Sequence, residues 1–215
     1  EKPIVLNPWN LDALEELETE TGCRVWTVLQ LRLHPSIIAL KKRISQENTG
    51  KKYEIELTYI TPRGPWYLNS WKGNIERSGG LATNIGVHFY DMLIWIFGAV
   101  KNSEVHLSES TRCSGYLELE KANVKWYLSI NRADSPLFND NNEPSTYRVI
   151  KIDDYELEFT KGFTGLHTQL YKRTLAGAGF GIDAVRPSIE LIHDIRATSA
   201  VGINSNSHRF ASGKD

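Results

Sequence analysis

The chain has 215 residues, 40% of them hydrophobic, with 25 basic against 26 acidic side chains and a formal net charge of −1. That length suffices for one sizeable core. The balanced charge leaves no electrostatic footprint for nucleic acid or an anionic membrane, no apolar run is long enough to span a bilayer, and no signal peptide is read at the start.

In chain order, Leu11, Leu14 and Leu17 after Asn10 predict an amphipathic helix capped by Asn10 and ended by Gly22. Arg24 to Leu33, rich in Val, Leu and Trp, reads as a buried strand. Pro35 then opens a helix with Ile37, Ile38, Leu40 and Ile44 on its apolar side. From Lys52 to Thr61, Tyr53, Ile55, Leu57 and Tyr59 alternate with Glu54, Glu56 and Thr58, as in a strand with one wet face. Residues 78 to 97 follow as a core helix stopped by Gly98.

Beyond it, Glu104 to Ser110, Arg112 to Leu119, Asn123 to Ile130, Tyr147 to Ile152 and Glu156 to Thr160 are short, β-rich and separated by turn residues. Asp134 to Ser145 reads as an exposed loop, Leu166 to Leu175 and Asp183 to Val201 as closing helices, and Gly177 to Gly181 as a helix terminator and turn. The fold class expected is α+β, a largely antiparallel sheet with helices packed on one face. Residues 1–8 form a junction segment, 9–200 the domain, and 201–215 a polar tail. The two cysteines, Cys23 and Cys113, lack metal-type spacing and suit free thiols in a reducing, cytoplasmic setting.

One stripe stands out. Asn84, His88 and Asp91 fall at i, i+4 and i+7 on one side of the core helix, while Ile85, Val87, Phe89, Met92, Leu93 and Ile96 cover the other directions. Polar groups in such a setting must be hydrogen-bonded or they cost several kcal/mol, so the stripe either meets polar partners in the core or opens into a pocket. No compact set of histidines and carboxylates accompanies it, so no metal site is expected; His88 with Asp91 supplies only two ligands.

Glu1-Lys2-Pro3, taken with the Gly79-Gly80, Asn84, Gly86, His88, Asp91 pattern, resembles the Gfo/Idh/MocA family of nicotinamide-dependent sugar oxidoreductases. The stretches Leu29 to Arg32, Tyr59 to Gly64, Trp66-Tyr67, Ser70 to Gly73, Ala82 to Asp91, Gly162 to Thr168 and Gly181 to Asp183 are similar to the branch that oxidises UDP-N-acetylglucosaminuronic acid at C3 for lipopolysaccharide and O-antigen sugars. The resemblance implies a substrate domain, with Glu1, Lys2 and Pro3 where it meets the cofactor domain and NAD or NADP bound mainly by that other domain. No Gly-x-Gly-x-x-Gly turn after a strand occurs in these residues, so the chain is expected to be the substrate half of such an enzyme. Many members of the wider family carry Asp where Asn84 stands.

Oxidising a secondary alcohol needs a base for the hydroxyl proton and a cofactor carbon for the hydride. Histidine titrates near neutral pH without help, so His88 is the expected base and Lys2 its cationic partner, with exchanged roles possible. Arg32, Arg63 and Lys72 are candidate partners for a carboxylate and a diphosphate. Trp71, beside Trp66 and Tyr67, offers a face for a sugar or uracil ring, or a plug for an interface. Asn84, Asp91 and His167 complete the expected substrate contacts. The expected partners are a UDP-sugar and further copies of the chain, as a dimer or tetramer through the sheet. The alternative is a non-catalytic sugar-binding or oligomerisation module, with Trp26, Trp126 and Tyr127 on its contact surface.

Overall fold

The computed structural model describes residues 2–47, 50–138, 146–157 and 162–212. In chain order its elements are α1 (Pro8–Thr21), α2 (Pro35–Gln46), β1 (Tyr53–Ile60), α3 (Pro65–Asn69), α4 (Ile75–Ser78), α5 (Val87–Phe97), β2 (Val100–Ser108), β3 (Arg112–Leu119), β4 (Ala122–Ser129), β5 (Tyr147–Ile152), β6 (Tyr155–Leu157), α6 (Leu166–Leu175) and α7 (Ile182–Ala197). The strands form one sheet in the order β2-β3-β4-β1-β5-β6. All neighbours run antiparallel except β1 and β4, which pair in parallel with Leu57 opposite Trp126.

The α+β expectation holds, and so do the exact limits of β3, β5 and α6. α5, α2 and α7 lie on one face of the sheet. Val87, Tyr90, Leu93 and Phe97 of α5 meet Leu57, Val124, Trp126 and Leu128 from the strands, with Ile37, Leu40 and Ile44 of α2 closing the same core. Each fully buried side chain of this size contributes roughly 1.5–3 kcal/mol. A smaller cluster joins Leu11, Leu29, Val185 and Ile189 with Ile4 and Val5, and Arg196 donates to the Leu6 carbonyl at 2.7 Å, so the junction segment is fastened to α7.

Several expectations need correction. Asn7, not Asn10, precedes α1, because Pro8 fits the first helical position; Asn10 lies inside the helix. Gly22, at φ 68°, does end it. The Arg24–Leu33 run is not a sheet strand. Thr27 makes a single bridge to Phe180 and residues Gln30–Leu33 form a 3-10 turn. Its apolar residues are divided among separate clusters, Val28 with α6, Leu29 with α7 and Leu31 with the main core, which a continuous apolar run cannot reveal.

The last helix stops at Ala197, and Val201 instead donates to the Val105 carbonyl of β2. The tail that follows, through residue 212, is a strap across the sheet's outer face. His208 is fully buried, stacks on Tyr127 and sits 2.9 Å from the Thr58 hydroxyl, so Thr58 is not on a wet face. Trp126 is sealed under the helices and Tyr127 under the strap, while Trp26 is a half-buried loop residue, so this trio forms no contact surface. The strand expected over 156–160 is seen to Leu157, and its remainder, like most of the Asp134–Ser145 loop, lies outside the described residues.

Candidate active site

The helix carrying the polar stripe begins with a π-helical segment, Ala82–Gly86, before α5 takes over. Such wide turns commonly sit at functional sites. Gly86 is needed there: a Cβ would stand 2.4 Å from the Tyr90 ring and 3.1 Å from Leu128. The segment holds Asn84 and Ile85 at the wall of a cavity of about 260 Å3, together with His88 and Phe89. Gln30, Leu31, Tyr59, Arg63, Arg148 and Phe163 complete its lining.

Lys2, from the start of the chain, meets His88 of this cavity wall. Its Nζ rests against Nδ1 of His88 and lies 3.2 Å from Nε2. The Lys2–Pro3 peptide is cis. Burial pushes His88 down to about 3, helped by the charges of Lys2, Arg148 and His167, so the imidazole is neutral and accepts from the lysine. Glu1 lies outside the described residues.

Asp91, one turn further along α5, does not face the cavity as a ligand. Its carboxylate takes Arg32 Nε at 3.0 Å and Nη2 at 2.6 Å, and the same Nη2 donates to the Ala184 carbonyl at 2.7 Å. Both side chains are nearly sealed, and Arg32 also lies against the rings of Trp95 and Phe180. Burial raises the Asp91 carboxyl, while Arg32 pulls it back. Arg32 and Asp91, both expected as substrate contacts, here bind each other in a two-point ion pair that ties α5 to the 3-10 turn and α7.

The remaining expected residues divide. Arg63 and Asn84 share the His88 cavity, and Asn84 Nδ2 reaches the Lys72 carbonyl at 3.5 Å. Lys72 lines a second cavity of about 290 Å3, with Gly79, Gly80, Cys113 and Arg196. Its Nζ sits 5.8 Å from the Trp66 ring centre and 5.9 Å from that of Trp71, two half-exposed indoles. His167 is exposed on α6 yet close enough for its charge to act on His88. Sequence reasoning missed Arg148. Its position two and four residues before buried Ile150 and Ile152 places it on the core side of β5, and a charge in such a row was the available signal. Among the described residues no group of His, Cys, Asp and Glu could hold a metal ion, and no helix is long and apolar enough to cross a membrane.

The family model of the Gfo/Idh/MocA oxidoreductase family's C-terminal alpha/beta domain matches residues 41–134. The chain superposes on the WlbA (WbpB) dehydrogenase from Thermus thermophilus, solved with NAD and alpha-ketoglutarate, with a TM-score of 0.91 and 48% identity, covering 97% of this chain and 67% of that one. A second structure of that dehydrogenase, with NAD and UDP-GlcNAcA, gives 0.88 and 46%, covering 96% and 66%. The inositol 2-dehydrogenase of Rhizobium meliloti is 29% identical over 98 residues, 46% of this chain and 28% of that protein. The chain thus spans about two thirds of the WlbA chain and aligns with little more than a quarter of the inositol enzyme. The matched family model, the shared fold and this degree of identity agree: the chain belongs to the Gfo/Idh/MocA oxidoreductase family.

Proposed function

We propose that this chain is the substrate half of a cytoplasmic NAD-dependent dehydrogenase that oxidises the C3 hydroxyl of UDP-N-acetylglucosaminuronic acid to a 3-keto sugar, for bacterial surface polysaccharide. The observation that carries the reading is the contact of Lys2 with His88 at a cavity whose charged lining is all basic. The WlbA relatives, solved with NAD and with UDP-GlcNAcA, support the choice of cofactor and substrate.

The cavity suits a polar ligand held against a cofactor. Gln30 Oε1 is buried there with no hydrogen-bond partner among the described residues, an acceptor that a bound molecule can satisfy. Lys2 and Pro3 are the described residues that would meet the nicotinamide end of NAD, which supplies the hydride acceptor when bound. A neutral His88 beside an ammonium is a weak base at rest. The substrate corrects this, because its carboxylate and diphosphate bring negative charge among Lys2, Arg63 and Arg148 and so favour the protonated imidazole. His88 then takes the C3 hydroxyl proton, Lys2 stabilises the developing alkoxide, and Asn84 orients the hydroxyl through its amide. As Asn84 cannot titrate, proton traffic falls to Lys2 and His88. The protein is expected to act as a homo-oligomer.

The test is NADH formation from UDP-GlcNAcA by the dehydrogenase carrying this domain. Lys2→Met and His88→Asn should each lower kcat by about 100-fold or more, the usual scale for a lost proton-transfer group. Unchanged rates in both variants would refute the assignment.

A further inference from the structure

We infer that Arg148 is the residue that selects for the sugar's carboxylate, and so separates an acidic from a neutral UDP-sugar at this cavity. The inference rests on the function proposed above. Arg148 lies directly across the β1–β5 pair from Tyr59, on the side of the sheet that α5 covers. Its guanidinium is held over two aromatic rings, 5.2 Å from the centre of Tyr59 and 4.7 Å from that of Phe163. Such stacking fixes the plane of the guanidinium, and a fixed plane suits the two-point geometry of a carboxylate.

Position separates it from the other lining cation. Arg63 is exposed at the rim, where β1 has ended and α3 is about to start, and fits the outward-running diphosphate. Arg148 is half-buried within β5, and its charge is felt at His88. The carboxylate on C5 and the diphosphate on C1 lie on opposite sides of C3 in the ring, so a sugar presenting its C3 hydroxyl to His88 can offer one anion to each arginine, and the stacked, half-buried Arg148 suits the flat carboxylate.

Calorimetric titration of the protein with UDP-GlcNAcA and with UDP-GlcNAc, which keeps the diphosphate and lacks the carboxylate, tests this. Wild type should prefer the acid by about 10- to 100-fold, the range of one charge-assisted two-point contact. Arg148→Gln should abolish the preference, Arg148→Lys should retain part of it, and Arg63→Gln should weaken both sugars alike. If Arg148→Gln does not fold, Arg148→Lys decides, since it keeps the charge and loses the fork. A preference that survives in Arg148→Gln, or is undiminished in Arg148→Lys, or a loss shared equally by the two sugars, overturns the inference and leaves the proposed function standing. Failure of wild type to bind either sugar removes both.

Discussion

Lys2 stands 86 residues before His88 in the chain, yet its amine rests on the imidazole ring. The contact joins the junction segment to α5. Burial first, and then the charges of Lys2, Arg148 and His167, push His88 down to about 3, so its imidazole is neutral at neutral pH.

Removing the neighbouring cation should therefore raise His88. Lys2→Met deletes a positive charge, and Asn84→Asp adds a negative one at the same cavity; both favour imidazolium. NMR titration of the His88 ring should show its midpoint move up from about 3 in each variant. A midpoint unchanged by Lys2→Met would mean that burial and the remaining charges set the value without Lys2.

The Arg32–Asp91 pair predicts an asymmetric response to mutation. Arg32→Met or Asp91→Asn alone leaves a buried charge without its partner and should cost about 3–5 kcal/mol. The double change Arg32→Met with Asp91→Asn should cost less than the two singles together. Urea unfolding of the four proteins gives the coupling, and simple additivity would show that the two groups do not depend on each other.

Acid should weaken the fold through its buried neutral histidines. His88 and His208 both lie at about 3 in the folded chain, against about 6.5 when unfolded. Between those values the unfolded chain binds more protons than the folded one. Stability is therefore fully present above pH 6.5 and falls as pH drops toward 3, with a slope approaching ~1.4 kcal/mol per pH unit for each histidine. His208→Gln should remove one histidine's share of that slope in urea unfolding followed across the range. An identical slope would mean that the strap has already left the sheet before His208 titrates.

Gly115→Ala should be among the most damaging small changes in the sheet. Its Cβ would lie 2.1 Å from the Glu104 carbonyl oxygen and 2.6 Å from the Trp126 ring. Neither the backbone of β2 nor a fully buried indole can yield cheaply, so a loss of about 1–3 kcal/mol or more is expected in thermal unfolding. Wild-type stability would show that β2 moves freely.

Elements with a single clear period were legible in the residues. β3, β5 and α6 fall where alternation or helical spacing puts them, and the stripe on α5 does lead to a cavity. Arg24 to Leu33 misled because long-range packing, not a local period, decides where its apolar residues go. Asp91 and Arg32 were both singled out, but residues 59 positions apart give no local sign that they bond to each other. The same blindness hid the strap: Thr58 is covered by His208, 150 positions later. Arg148 went unnoticed because a single basic residue in a short strand resembles an outward-facing charge until the core side of that strand is known.

The most direct test of the account is deuterium transfer from UDP-GlcNAcA labelled at C3, with NAD and the dehydrogenase containing this domain. The account predicts that the label appears on the nicotinamide and that His88→Asn slows the transfer without redirecting it. Label that remains on the sugar while NADH forms would contradict oxidation at C3.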